Sequence, residues 1–435
     1  MSKIEVNAIE PQCGTTLTIG ASDTSIAGIG TVNWDTTKKT AAFTAVSGRG
    51  YFVDTSSSAI TVTLPSGSAG AIVAISDYTR TFQTNNLTIT PQSGEKIGGV
   101  AADATLSTEG QTATFVYVDS TEGWINVQET SNSVTGETFI TATGGTITTC
   151  GDFKIHTFTG PGTFCVSQIA TVAANNEVSY AVVAGGGGGG SNYAGGGGAG
   201  GFRESKSGVD TYTASPLEGA TNISVTATSF PITVGAGGAG GSSNAGGPCG
   251  TASTFSTVTS AGGGGGGSVG NPSTLAGANG GSGGGNANDS GPLAAPSGNT
   301  PPVSPPQGNN GGRGRQPPGN NGAGGGGGAT AVGANGGGPT TQSGDGGAGA
   351  STSITGSSVT RAGGGGGGGQ SPGVPGGAGG SGGGGAGSGC HSGACGPAGT
   401  AGTANTGGGG GGATCGPNTG GAGGSGIVII RYKFQ

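Results

Sequence analysis

The apolar positions of the chain change rhythm along its length. Between residues 41 and 130 they alternate with polar ones. Ile60, Val62 and Leu64 are separated by Thr61 and Thr63, and Thr114-Phe-Val-Tyr-Val118 reaches the turn Asp119-Ser-Thr-Glu-Gly123 before Trp124-Ile-Asn-Val127 returns. A period of two puts one set of side chains on a buried face and the other in solvent, which predicts half-buried strands. Pro65-Ser-Gly-Ser-Ala-Gly70 is a turn cluster, Ala71-Ile-Val-Ala-Ile75 a more buried strand and Leu87-Thr-Ile89 a short one. Asp152 to Phe158 alternates in the same way, with Phe153, Ile155 and Thr157 on one side and Lys154, His156 and Phe158 on the other. No stretch carries a helical period, so the expectation is a mostly β protein with essentially no α-helix.

After Val178-Ser-Tyr-Ala-Val-Val183 the pattern changes. A short aliphatic strand runs directly into six glycines, Gly185 to Gly190, then Ser191-Asn192-Tyr193-Ala194 and a second glycine run to Gly201-Phe202. The same grammar returns after Phe230-Pro-Ile-Thr-Val234, after Phe255 to Ala261, and after Val359-Thr-Arg361-Ala362, which opens Gly363 to Gly369. A repeat of strand plus glycine run is therefore the organising unit of residues 185–435. Glycine loses more backbone entropy on ordering than any other residue and buries no side chain. Such runs order only if backbones approach closely enough to hydrogen-bond one another, an approach that only glycine permits, as at the collagen axis. Collagen itself is excluded because the glycines come in blocks rather than at every third position. The expectation is a bundle of extended polyglycine-type helices, rods of roughly 20–30 Å at about 3.1 Å per residue. A disordered tail has the same composition. The aliphatic strands, ending with Ile427-Val-Ile-Ile430, argue for order, because a linker has no use for them. Asn286 to Asn321, rich in Pro-Pro pairs, reads as a stiff extended interruption.

Composition narrows the classes. Of 435 residues 110 are glycine, only 8% are charged, and the net charge is −6. Nothing basic is clustered to neutralise phosphates, so nucleic acid and acidic membranes are poor partners, and no apolar run reaches a membrane span. The N-terminus lacks an apolar signal-peptide core. That sits oddly with a Thr- and Gly-rich extracellular type of composition, and a virion protein, made in a host cytoplasm and released by lysis, resolves it. The seven cysteines are odd in number and irregularly spaced, so free thiols are expected.

Catalytic patterns match only formally. Polyglycine satisfies the dinucleotide fingerprint by default, without the helix or the acid that chemistry needs. The G-x-S-x-G matches at 280–284 and 379–383 lack the strand-to-helix elbow. Cys390-His391 with Cys395 and Cys415 offers metal-ligand types but no evident fourth ligand for zinc. No catalytic, cofactor or metal residue is assigned, and an enzyme is not expected. Binding remains, in the loops that end the rods. The candidate contact residues are Asn192, Tyr193, Asn309, Asn310, Arg313, Arg315, His391 and Asn418.

Met1-Ser-Lys-Ile-Glu-Val-Asn-Ala-Ile, Tyr51-Phe-Val-Asp-Thr-Ser-Ser, Ile60-Thr-Val-Thr-Leu-Pro65, Asn85-Asn-Leu-Thr-Ile89 and Tyr117 to Trp124 resemble the N-terminal half of tail fibre proteins of marine bacteriophages, notably cyanophage-like ones. Thr149 to Phe158, Ile232 to Gly238, Phe255 to Gly262 and Gly424 to Tyr432 resemble the glycine-rich domain of phage fibres and receptor-binding adhesins. Cys150 and Cys165 stand where that pattern has Ser or Thr. The resemblance implies a virion tail fibre, commonly a homotrimer, whose distal domain binds a host surface polysaccharide or outer-membrane protein while its N-terminus meets other tail proteins. Read from the residue pattern, the chain divides into an attachment segment at 1–40, closed by a turn region at Trp34 to Lys39, then a β domain at 41–134, a strand neck at 135–184 and a glycine-rich domain at 185–435 closed by a strand at 426–434. The rival readings are a purely structural appendage and an ice-binding protein with regular Thr or Ala faces.

Overall fold

The computed structural model describes residues 32–129, 138–220, 222–270, 272–288, 293–315, 322–337, 342–370, 373–390, 396–415 and 417–435. Two compact units divide the chain between Glu137 and Thr138. The described residues are mostly β-strand and extended rod, with no α-helix among them.

In the first unit the chain winds between two sheets. Asn33–Lys39, Arg49–Val53 and Ile72–Asp77 pair in parallel in one sheet, which Thr112–Asp119 and Gly123–Glu129 finish as an antiparallel hairpin. Phe43–Thr44, Ile60–Thr63 and Leu87–Thr90 pair in parallel in the other, ending at Ala104–Leu106. Parallel strands need a crossover, and here each crossover is a strand of the opposite sheet. The alternation sets the core: Ile60, Val62, Leu64, Leu87, Ile89, Val73, Ile75, Phe115 and Trp124 form one buried cluster, and Thr61 faces solvent. Residues 33–39 are a strand rather than the turn expected from Trp34-Asp-Thr-Thr-Lys-Lys39. The reason is Gly50, directly opposite: an added Cβ there would sit 2.6 Å from the Trp34 ring, so only glycine lets that ring lie on the neighbouring strand.

In the second unit the strands gather at one end of the rods. Ile427–Lys433 lies between Phe153–Phe158 and Glu177–Val183, antiparallel to both. Gly162–Gln168 pairs with Thr141–Thr143 and with Ser229–Thr233, which continues to Ser253–Phe255 and Val258–Ser260. Residues 138–184 thus belong to the same compact unit as the rods. Phe164, Tyr180, Phe255, Val428, Ile430 and Tyr432 share one core. Ile155, Val183, Phe202, Ile354 and Ile429 share another.

His156 is buried within the first of these cores. Its Nδ1 lies 2.7 Å from the Gly144 carbonyl, which can only accept, so Nδ1 carries the proton and Nε2 accepts from the Tyr432 hydroxyl at 3.1 Å. Burial pushes the Tyr432 phenol up to about 12, so it stays a donor. Desolvation holds the His156 pKa below its ordinary value, despite the Gly144 contact, and the Lys154 ammonium lowers it further. A folded pKa below the unfolded one gives a stability contribution that is complete above about pH 6.5 and lost as pH falls. Melting temperature should therefore drop on acidification from neutrality, and His156→Gln should flatten that part of the profile. A profile with unchanged slope in the variant would show that His156 does not cause the drop.

The rods obey a period of three. In rod 185–190, Gly185 and Gly188 donate to Thr251 and Pro248, Gly186 and Gly189 to Gly424 and Gly421, and Gly187 and Gly190 to Gly198 and Gly195. The carbonyls of the same rod accept from three others: Gly185 and Gly188 from Gly263 and Gly266, Gly186 and Gly189 from Gly238 and Gly241, Gly187 and Gly190 from Gly410 and Ala413. Three residues per turn aim successive peptide groups at successive neighbours, so this rod is surrounded by six. Rod 194–201 is equally enclosed, by rods 185–190, 262–267, 282–288, 324–328, 363–369 and 407–413. A Cβ built at Gly195, Gly196 or Gly197 lands 1.9, 2.2 or 2.1 Å from the carbonyl oxygen of a different rod in each case, which no real side chain tolerates. Rods at the rim are free on one side and carry a side chain at every third residue there. Ala236 and Ala239 are exposed in 235–241, and Pro375, Ala378 and Ser381 in 375–381.

Energetics explain why the strands are needed. Ordering one residue costs roughly 1–2 kcal/mol of backbone entropy, and a backbone hydrogen bond returns about 1 kcal/mol net. The lattice bonds alone do not offset the ordering. Close backbone dispersion contacts and the two apolar cores at the strand end supply the remainder.

Two expectations are corrected. The proline-rich stretch is not a stiff extended spacer around its prolines. Thr300-Pro301 and Ser304-Pro305 are cis, and Asn299, itself at φ 48°, folds the loop by accepting from Val303 and Gln307 and donating to Val303. On either side the stretch enters the lattice as rods: Gly311 donates to Pro296, and Gly312 to Gly325. The cysteines are not all free. Cys415 is disulfide-bonded, whereas Cys150, Cys165 and Cys249 are free thiols.

Candidate recognition site

Val183, Phe202, Ser253, Ser260, Arg361 and Ile427 join strands to rods at one end of the second unit. The turn Ser191-Asn192-Tyr193 joins rods 185–190 and 194–201, two of the rods enclosed on every side, at the other. It therefore caps the centre of the lattice. Asn192 and Tyr193 both have left-handed backbones, at φ 67° and 47°, a conformation that costs a non-glycine residue roughly 1–2 kcal/mol. Surrounding chain ends hold it. Tyr193 N–H donates to Thr414 at 3.1 Å, Asn288 donates to the Tyr193 carbonyl at 3.0 Å, and Val269 to the Asn192 carbonyl at 3.2 Å. The Ser268 hydroxyl donates to the carbonyls of Ser191 and Asn244, at 2.5 and 2.8 Å, tying a second turn to the first. Asn288 reaches Gln370 through its side-chain amide. Both Asn192 and Tyr193 side chains are half-buried.

The other sequence candidates scatter. Asn418 is half-buried at the same end, where its side-chain amide donates to Gly396 and its N–H to Cys415. Arg313 is exposed at the outer end of rod 307–313, its N–H held by the Asn335 side chain, and Arg315 follows it, half-buried. Asn309 and Asn310 lie within that rod, toward the strands. Asn309 donates to the Gly328 and Ala329 carbonyls, and Asn310 accepts from Gly298 N–H. His391 lies outside the described residues.

Sequence reasoning missed Asn288, Gln370 and Ser268 at the centre. It also missed a buried charged cluster at the strand end. The single Nε–H of Arg431 is shared between the two Asp210 carboxylate oxygens, at 3.0 and 2.9 Å, both side chains are nearly inaccessible, and Ser179 donates to the same carboxylate at 2.8 Å. The Arg431 guanidinium lies over Phe153, 4.4 Å from its centroid. Glu204 accepts from Ser215 N–H and from the Thr352 hydroxyl, and burial beside it pushes the Tyr212 phenol well above its usual range. Every group in the cluster is tied into strands or their loops, so it staples the loop after Ser205 to the closing strand. A charge at Asp210 or Arg431, separated by some 220 residues from its partner, leaves no local signal in the sequence.

Among the described residues no group of three His, Cys, Asp or Glu could hold a metal ion, and no helix is long and apolar enough to cross a membrane. Ser282, in one of the G-x-S-x-G matches, is fully buried inside a rod.

Residues 158–433 match the glycine-rich domain family. The chain belongs to that family. The match begins within the strand Phe153–Phe158 and ends within Ile427–Lys433, adjacent partners in one sheet, so the glycine-rich domain includes the strands as well as the rods between them. Compared with curated proteins, the chain matches none.

Proposed function

We propose that this protein is a virion tail-fibre component that attaches the particle to a host cell through the rod end of its glycine-rich domain. One observation carries the reading: the turn Asn192–Tyr193 caps two enclosed rods in the interior of the lattice, and a strained backbone is held there by three separate chain ends. Rigid scaffolds with side chains gathered at one end suit recognition, since little is lost in ordering them on binding. In this reading the N-terminal unit engages neighbouring tail proteins, the fibre is a homotrimer, and the chain is not an enzyme. The resemblance to marine phage fibres supports it. Purified protein should bind cells of a susceptible host and compete with virions for adsorption. Protein that binds no host cell, while virions lacking it lose infectivity, would instead favour a structural appendage.

A second reading has one observation in its favour. Rods 235–241 and 419–426 are hydrogen-bonded neighbours, and their outward positions Ala236, Ala239, Thr419 and Ala422 repeat every third residue without charge. That is the regular face an ice-binding protein needs. Thermal hysteresis in the purified protein would support it, and its absence would leave the attachment reading.

A further inference from the structure

Resting on the attachment reading, we infer that the centre of the rod end is a subsite for a neutral sugar, with the Tyr193 ring as its platform and Asn288 and Gln370 beside it. Four observations converge. Tyr193 is the aromatic residue of the central turn, and its backbone is fixed by Thr414 and Asn288. Asn288 is only 6% exposed, and its Oδ1 has no hydrogen-bond partner. An acceptor left without a donor is costly to bury, and here it lies one backbone hydrogen bond from Tyr193. Gln370, which accepts from the Asn288 amide, is itself a half-exposed residue.

The chemistry of the patch selects the ligand. Ser191, Asn192, Tyr193, Ser268, Asn288, Gln370 and Thr414 are all uncharged. Arg313 is removed from them, since at its end of the lattice rods 282–288 and 324–328 lie between its rod and the central pair. Among the described residues an anionic or cationic ligand would find no counter-charge at the centre. A protein epitope would find one ring and no apolar core, where interfaces need a desolvated cluster of anchors. A pyranose offers what the patch lacks: an apolar C–H face to lie on an aromatic ring, and hydroxyls that both donate to an amide oxygen and accept from an amide N–H. Rigidity adds to the fit, because the αL pair and the Ser268 bonds fix the turn before binding.

The test uses the full chain with two probes. One is a printed panel of neutral oligosaccharides of glucose, galactose and mannose. The other is adsorption to intact host cells. The variants are Tyr193→Phe, Tyr193→Asn and Asn288→Ala. Asparagine keeps the tolerance for a left-handed backbone while removing the ring, and melting temperature verifies each fold. The expected result is binding to at least one neutral series, retained in Tyr193→Phe and weakened at least tenfold in Tyr193→Asn and Asn288→Ala at unchanged melting temperature. Adsorption to cells without binding to any neutral glycan would overturn the sugar assignment and leave the attachment reading standing. Glycan binding that Tyr193→Asn leaves intact would overturn the site. Failure in both probes would remove the attachment reading together with the subsite.

Discussion

Gly197→Ala is expected to unfold the glycine-rich domain. The added methyl would lie 2.1 Å from the Gly187 carbonyl oxygen and 2.9 Å from that of Gly188. Rod 185–190 cannot retreat, because it is pressed by five further rods through the hydrogen bonds described above. Overpacking a rigid core costs about 1–3 kcal/mol, and each buried peptide group that loses its partner adds a similar amount. Gly197 donates to Gly410 and accepts from Gly365, so both bonds are at stake and the combined loss approaches the whole stability of an ordinary domain, about 5–15 kcal/mol. The sign is diagnostic. In a flexible linker Gly→Ala stabilises by roughly 0.4–1 kcal/mol through the unfolded chain. Ala239→Ser, on the exposed side of a rim rod, should stay within about 0.5 kcal/mol of wild type. Chemical denaturation of the three proteins separates the outcomes. A Gly197→Ala protein as stable as wild type would mean that the rods are not packed.

The second large effect is at the closing strand. Arg431→Met is expected to cost about 3–5 kcal/mol, because it leaves the Asp210 carboxylate buried with only Ser179 and backbone donors. The double variant Asp210→Asn with Arg431→Met should recover much of that loss, since no unpaired charge remains. Equal instability of the single and double variants would show that packing of Arg431 on Phe153, rather than charge pairing, is what matters.

The particular residues show what could be read in advance. Threonine alternation at 60–64 and the clean period at 152–158 specify strands, because a period of two has one physical meaning. The glycine blocks specify rods, because nothing else orders a chain without side chains. They also encode position in the lattice. Unbroken runs such as 185–190 and 363–369 lie inside it, and Gly235-Ala-Gly-Gly-Ala-Gly-Gly241, with alanine every third residue, lies at its rim. What stayed hidden is adjacency. Gly197 has partners at Gly187, Gly365 and Gly410, and identical residues carry no register. The parallel winding of the first unit was hidden for the same reason, since alternation fixes a face and not a neighbour. Of the candidate site, Asn192 and Tyr193 were legible as the side chains between two glycine runs. Asn309 and Asn310 looked the same in sequence but sit within a rod, because amides can fill gaps at its flank by bonding to carbonyls nearby. Asn288, Gln370 and Ser268 were invisible because only the lattice brings their chain ends to the centre.

Amide hydrogen exchange, resolved to individual rods, bears most directly on whether bare backbone condenses into a solid scaffold. Slow exchange throughout 185–190, 195–201, 363–369 and 407–413, with opening free energies near that of global unfolding and matching those of the strands Glu177–Val183 and Ile427–Lys433, is the predicted result. Exchange of these glycines at the rate of an unstructured peptide, while the strands stay protected, would contradict it.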